Sequence, residues 1–210
     1  MTLNRHFWTS RAMKRKIDEI IAEIFAIAGL ILFFGKREWF PDFYNPKFMA
    51  VMAFLSSFLI FLPRLFFKTS DDAEKQKSLN FLQTGLVIIL LLNGLGSLGF
   101  FQMYKIGFEY DKFLHFVVPF VSTTVIGRFG FQWYGWSFKK SVILAASIVL
   151  LGGFIWEFFE FFGDYFLKTQ MLGYYGKFIV KDTVWDLIIN AIGIASGIVA
   201  FAKFDKFRFI

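Results

Sequence analysis

Residues 141–164 read SVILAASIVLLGGFIWEFFEFFGD, and the last nine of them, Trp156-Glu157-Phe158-Phe159-Glu160-Phe161-Phe162-Gly163-Asp164, decide the fold. The run is greasy enough to sit in a lipid bilayer, yet three carboxylates interrupt it. An acidic side chain at the middle of a membrane-crossing helix costs about 2.5–3.5 kcal/mol, so three on one segment need a partner, an interfacial position or a task. Their spacing of i, i+3, i+7 sets Glu157, Glu160 and Asp164 on one helical face.

The composition around this stretch agrees with a membrane setting. The 210 residues are 57% hydrophobic and 22% aromatic with a mean hydropathy of +0.56, where a soluble domain is about 45–50% apolar. The expected fold class is therefore all-α, a polytopic membrane bundle of about six transmembrane helices forming one integral domain over 1–210. The chain has no cysteine, which excludes disulfides, thiolate metal sites and a cysteine nucleophile. The net charge of +7 comes from bases gathered at segment ends. Positive-inside topology and anionic headgroups account for them, so the bilayer is the expected partner and nucleic acid is not.

Six apolar segments follow in order. Residues 1–16, with Arg5, Arg11, Lys14, Arg15 and Lys16, read as a cytoplasmic amphipathic lead-in whose His6, Phe7 and Trp8 anchor at headgroups, not as a cleavable signal. Three N-terminal spans occupy 17–104: Ile17–Phe34, Phe48–Phe67 with a kink or exit at Pro63, and Leu79–Tyr104 with the small-residue run Asn93–Gly99. Between the last two, Lys68–Lys77 reads as a solvated loop. Three further spans occupy 105–202: Asp111 to about Trp133, Ser141–Asp164, and Asp182–Phe201 with Gly193 and Gly197 in GxxxG spacing, which favours close internal packing. Residues 203–210 form a tail. Of the 23 Lys and Arg, fifteen fall on the side of the termini and eight on the other, which predicts both termini cytoplasmic in a bacterial-type inner membrane.

That orientation collects the unusual polar residues of the last three spans at their outer ends. With about 1.5 Å of rise per residue, His115, Glu160 and Asp186 lie about 6 Å below Asp111, Asp164 and Asp182, Glu157 about 10 Å and Asn190 about 12 Å. Asp111 and His115 share a face, as do Asp182, Asp186 and Asn190. Three polar faces at one level are expected to converge on a pocket. Five ionised carboxylates cannot stay bare there, because their repulsion in a low dielectric draws in protons or a cation.

The metal reading takes Asp111, His115, Glu157, Glu160 and Asp186 as ligands of a divalent cation, with Asp164 and Asp182 as further pocket residues. One imidazole among carboxylates suits Mg²⁺, Mn²⁺, Zn²⁺ or Fe²⁺, although the Glu-x-x-His pair of di-iron bundles is absent. Glu157 or Glu160 would then act as base toward a water attacking a phosphoryl or acyl group, with Asn190 positioning substrate. Two alternatives stand beside it. One is a proton- or ion-coupled transport path. The other is a non-catalytic network in which Lys112, Arg128, Trp and Tyr side chains partner the acids. No GxSxG, HExxH or Walker sequence occurs, and the aromatic load reads as lipid-facing bulk.

Three motifs in order, Asp111-Lys112-Phe113-Leu114-His115-Phe116, Trp156-Glu157-Phe158-Phe159-Glu160 with Asp164, and Asp182-Thr183-Val184-Trp185-Asp186-Leu187 followed by Asn190, Gly193 and Gly197, resemble the signature of YjdF-like inner-membrane proteins of unknown function. Over about residues 105–200 the chain also resembles VanZ-like proteins, which are associated with teicoplanin resistance. VanZ-like chains usually carry Gln where Glu160 stands, and YjdF-like chains often carry Asp where Asn190 stands. The resemblance implies Asp111, His115, Glu157, Glu160, Asp182, Asp186 and Asn190 as the site. The expected function is a metal-dependent hydrolase or transferase acting on an envelope lipid or lipid-linked substrate that enters from the outer leaflet.

Overall fold

The computed structural model describes residues 3–40, 45–68, 70–167 and 179–206, with side chains described over 17–40, 45–68, 70–166 and 180–203. The expectations for the side chains of His6, Phe7 and Trp8 and of the bases Arg5, Arg11, Lys14, Arg15 and Lys16 lie outside these. Every regular element among the described residues is helical: α1 (Leu3–Phe34), α2 (Pro46–Leu59), α3 (Leu62–Phe66), α4 (Ala73–Ser97), α5 (Tyr110–Tyr134), α6 (Phe138–Phe162) and α7 (Ile179–Lys206). They form two compact units, Met1–Lys68 and Thr69–Ile210, so α4 belongs with the motif-bearing helices.

In the first unit, α1 is one continuous helix that merges the lead-in with the first apolar segment. Asn45 caps α2 by accepting the Phe48 N–H at 3.1 Å, and Pro46 takes the first turn. The expected interruption near Pro63 is present: α2 ends at Leu59 and α3 restarts at Leu62. The two long helices approach closely, with Ser57 Oγ donating to the Ala22 carbonyl at 2.8 Å. A Cβ on Gly29 would fall 2.8 Å from the Phe54 ring. Arg64 reaches back to Asp18 at 3.0 Å.

The second unit holds four helices long and apolar enough to cross a membrane: α4, α5, α6 with the turn after it, and α7. The first two of the six expected spans differ from these. Helix α2 has 14 residues, about 21 Å against a hydrocarbon core of about 30 Å, and the apolar part of α1 carries Asp18, Glu19 and Glu23.

Helix α5 is central and packs on α4, α6 and α7. Glycines set the contacts. A Cβ at Gly85 of α4 would meet Val125 at 2.7 Å. On α7, a Cβ at Gly193 would collide with the Phe116 carbonyl, and one at Gly197 would lie 2.7 Å from the Phe120 carbonyl. The GxxxG pair thus serves packing within the chain, letting two backbones touch. Thr124 Oγ1 ties the seam by donating to the Phe120 carbonyl at 2.8 Å and the Gly197 carbonyl at 3.3 Å.

Helix α4 is displaced from its expected limits at both ends. Residues 73–77 are helical and not loop, because Asp72 accepts the N–H groups of Glu74 at 2.9 Å and Lys75 at 3.3 Å and starts the helix early. At the far end the helix stops at Ser97 instead of running to Tyr104. Gly99 there takes a φ of +128°, and a 3-10 turn over Phe100–Ile106 closes on Gly107 at +86°.

Helix α6 resolves the contradiction of its own sequence. Phe158 and Phe159 are 64% and 65% exposed while Glu157 and Glu160 are 7% and 6% exposed, so the grease meets lipid and the acids face the bundle.

Candidate functional site

The start of α5, the end of α6 and the start of α7 meet at one end of the second unit. Around α5 the chain alternates direction, so helical rise brings Asp111 and His115, Glu157 and Glu160, and Asp182, Asp186 and Asn190 to a common level. His115, Glu157, Glu160, Asp186 and Asn190 are all buried. Asp111 is the open edge, its side chain 36% exposed.

On one side of the His115 ring stands a carboxylate cradle around Lys112. The Lys112 ammonium bonds Asp186 Oδ1 at 2.5 Å and Asp182 Oδ1 at 2.8 Å, with Asp111 Oδ2 at 3.5 Å. His115 Nε2 faces the same cradle, 3.7 Å from Asp111 and 3.8 Å from Asp186.

On the other side His115 Nδ1 lies 3.2 Å from Asn190 Oδ1 and 3.8 Å from Glu157 Oε1. Asn190 as acceptor requires the ring proton on Nδ1. Glu160 Oε1 accepts the Trp156 indole N–H at 2.8 Å. Both carboxylate oxygens of Glu157 are buried without a hydrogen-bond partner, the Thr183 side chain reaching toward them but falling short of bonding geometry. A buried, unsatisfied carboxylate is costly enough to require an explanation.

The ligand atoms fall into two groups, Asp111 with His115 and Asp186, and His115 with Glu157 and Glu160, each group spanning no more than 4.8 Å. Chemically these are two hard-oxygen seats that share one imidazole, suited to a divalent cation of the Mg²⁺, Mn²⁺ or Zn²⁺ type. Among the described residues five acids are matched by one lysine and one histidine, which leaves the cluster short of positive charge.

One expectation from helical spacing is altered by the turn that follows α6. Asp164 belongs to neither group. It sits in a π turn over Gly163–Leu167 that follows α6 and breaks the i, i+3, i+7 phase with Glu157 and Glu160. Arg128 lies over the Phe81 ring at 5.0 Å. Tyr110 donates to the Leu92 carbonyl at 2.8 Å and so anchors α5 on α4.

Residues that sequence reasoning underused are Trp156 and Gly153. Trp156 stands four residues before Glu160 and is its hydrogen-bond donor, a spacing that was legible. Gly153 stands one turn before Glu157, and a Cβ there would lie 3.0 Å from the Asn190 amide nitrogen. It makes the space that Asn190 fills.

No curated protein and no solved structure matches the chain. A family profile described as "Predicted membrane protein (DUF2238)" matches residues 20–206, spanning α5, α6 and α7 and every residue of the cluster. The chain therefore belongs to the DUF2238 family of predicted membrane proteins, the YjdF family.

Proposed function

We propose that this protein holds a divalent cation between His115, Glu157 and Glu160 and uses it to hydrolyse or transfer a group of a membrane lipid or lipid-linked substrate. One observation carries the reading: the Glu157 carboxylate is buried beside His115 and Glu160 with neither oxygen hydrogen-bonded. A cation would satisfy those oxygens and offset the repulsion between the two glutamates. With Nδ1 turned to a cation, His115 would carry its ring proton on Nε2, the nitrogen that faces Asp111 at 3.7 Å and Asp186 at 3.8 Å. Carboxylates behind a ligating histidine orient the ring and raise its basicity in this manner.

The bound cation would polarise a phosphoryl or acyl oxygen. Glu157 or Glu160 takes a proton from water as the water oxygen bonds to the phosphorus or acyl carbon, and returns it to the departing alkoxide. Asn190 lines the same side of the ring as the proposed seat. The Lys and Arg distribution supports a site opening away from the cytoplasm in an inner-membrane setting, where lipid-linked envelope precursors are the accessible substrate class.

Metal analysis tests the reading. Protein purified in detergent and dialysed against metal-free buffer is expected to retain about one divalent ion per chain, a site lost in the His115→Ala/Glu157→Gln double variant. Equal and negligible metal in both rules it out.

The alternative, a proton or ion path, is favoured by the buried Thr123 and Ser141 hydroxyls, which have no hydrogen-bond partners. Flux in proteoliposomes that depends on Glu157 and continues without any metal would select it over catalysis.

A further inference from the structure

We infer that Lys112 is a tethered cation that fills the second of two adjoining cation seats, and so limits this site to a single exogenous divalent ion. The inference rests on the metal reading above and assigns the occupant of each side of the His115 ring.

Three observations carry it. The two carboxylate groups share His115 yet stand on opposite ring nitrogens: Asp111 and Asp186 on Nε2, Glu157 on Nδ1. The Nε2 side already holds a cation, because one ammonium lies within 3.5 Å of Asp111, Asp182 and Asp186. Among the described residues the Nδ1 side has no such group, and there both Glu157 oxygens are buried and without a hydrogen-bond partner.

Chemistry favours division over sharing. An ammonium and a divalent ion a few ångströms apart repel strongly in a low dielectric. Asp182 and Asp186 hold Lys112 by charge-assisted hydrogen bonds, which are stronger than neutral ones, and Asp111 adds an ion pair at 3.5 Å. A Lys side chain is also a poor substitute for a metal, since it has no open coordination position for substrate. The lysine therefore acts as a positioning residue: it fixes the aspartates that face Nε2 and leaves the Nδ1 side as the site of exchangeable metal. Removing the charge while keeping the stem should free three carboxylates for a second ion beside the first.

Mn²⁺ is the probe, read by stoichiometry and by electron paramagnetic resonance on the full-length protein in detergent. The native chain and Lys112→Arg, which keeps the charge, are expected to bind one Mn²⁺ with the signal of an isolated ion. Lys112→Met is expected to bind two, at least ten-fold tighter at the second seat than any second binding to the native chain, with a spin-coupled signal. Should Lys112→Met fail to fold, Lys112→Met/Asp182→Asn removes one charge of each sign and must still bind the second ion through Asp111 and Asp186.

One uncoupled Mn²⁺ in the native chain and in both lysine-free variants overturns the inference while leaving the metal reading standing. No Mn²⁺ in any of them overturns both.

Discussion

The two units each bury charge, and they do so differently. In the first unit an acid meets a base: Arg64 bonds Asp18 at 3.0 Å, their side chains 27% and 13% exposed. In the second unit Asp111, Asp182, Asp186, Glu157 and Glu160 surround Lys112 and His115. A contact of opposite charges holds helices together. An unbalanced cluster of acids in a membrane-spanning bundle is stable only with protons or a cation supplied to it. The difference separates a structural contact from a candidate site without reference to any relative.

The comparison breaks first at the shared imidazole. His115→Ala should weaken divalent-metal binding at least 100-fold, about 2.7 kcal/mol, while Asp18→Asn leaves it unchanged; isothermal titration with Mn²⁺ measures both. Similar losses in the two variants would erase the distinction between the units.

Next in size is the frame of the cluster. Gly193→Ala places a methyl against the Phe116 carbonyl and should cost about 2–3 kcal/mol by overpacking, seen as a lowered Tm in detergent. The cluster spans α5 and α7, so metal binding should fall with it. Asn190→Ala should cost about ten-fold in metal affinity, the usual effect of losing a group that orients a ligand, with little change in Tm.

A smaller effect is expected from the contact of Arg64 with Asp18. Arg64→Met should lower stability by about 1–2 kcal/mol, discounted for the exposure of the arginine, and leave metal content as it was. Smallest of all, Gly152→Ala has open space around the new methyl and should shift stability by under about 0.5 kcal/mol.

Much of the site was legible before any coordinates. Glu157 and Glu160 three apart, Asp111 and His115 four apart, and Asp182, Asp186 and Asn190 on one face are consequences of helical period alone. A common depth followed from counting rise along helices of alternating direction. Asp164 failed the same reasoning because it assumed an unbroken α-helix, and a π turn changes the angle between successive residues. The early start of α4 was written in Asp72, a capping residue followed by Glu74, but the polarity of the stretch argued for loop.

The sequence by itself determined the membrane setting, the helical class and the faces that the acids inside unbroken α-helices occupy, because hydropathy and period are local properties that survive in any tertiary arrangement. Tertiary structure decided who meets whom. Lys112 could have paired with its neighbour Asp111 alone; only packing across 70 and 74 residues of separation gave it Asp182 and Asp186. The same packing left the Glu157 oxygens without a donor, since glycines at 193 and 197 draw α7 onto the α5 backbone and Gly153 admits Asn190 toward His115. Distances of that kind depend on which backbones can touch, and no local pattern in the chain records them.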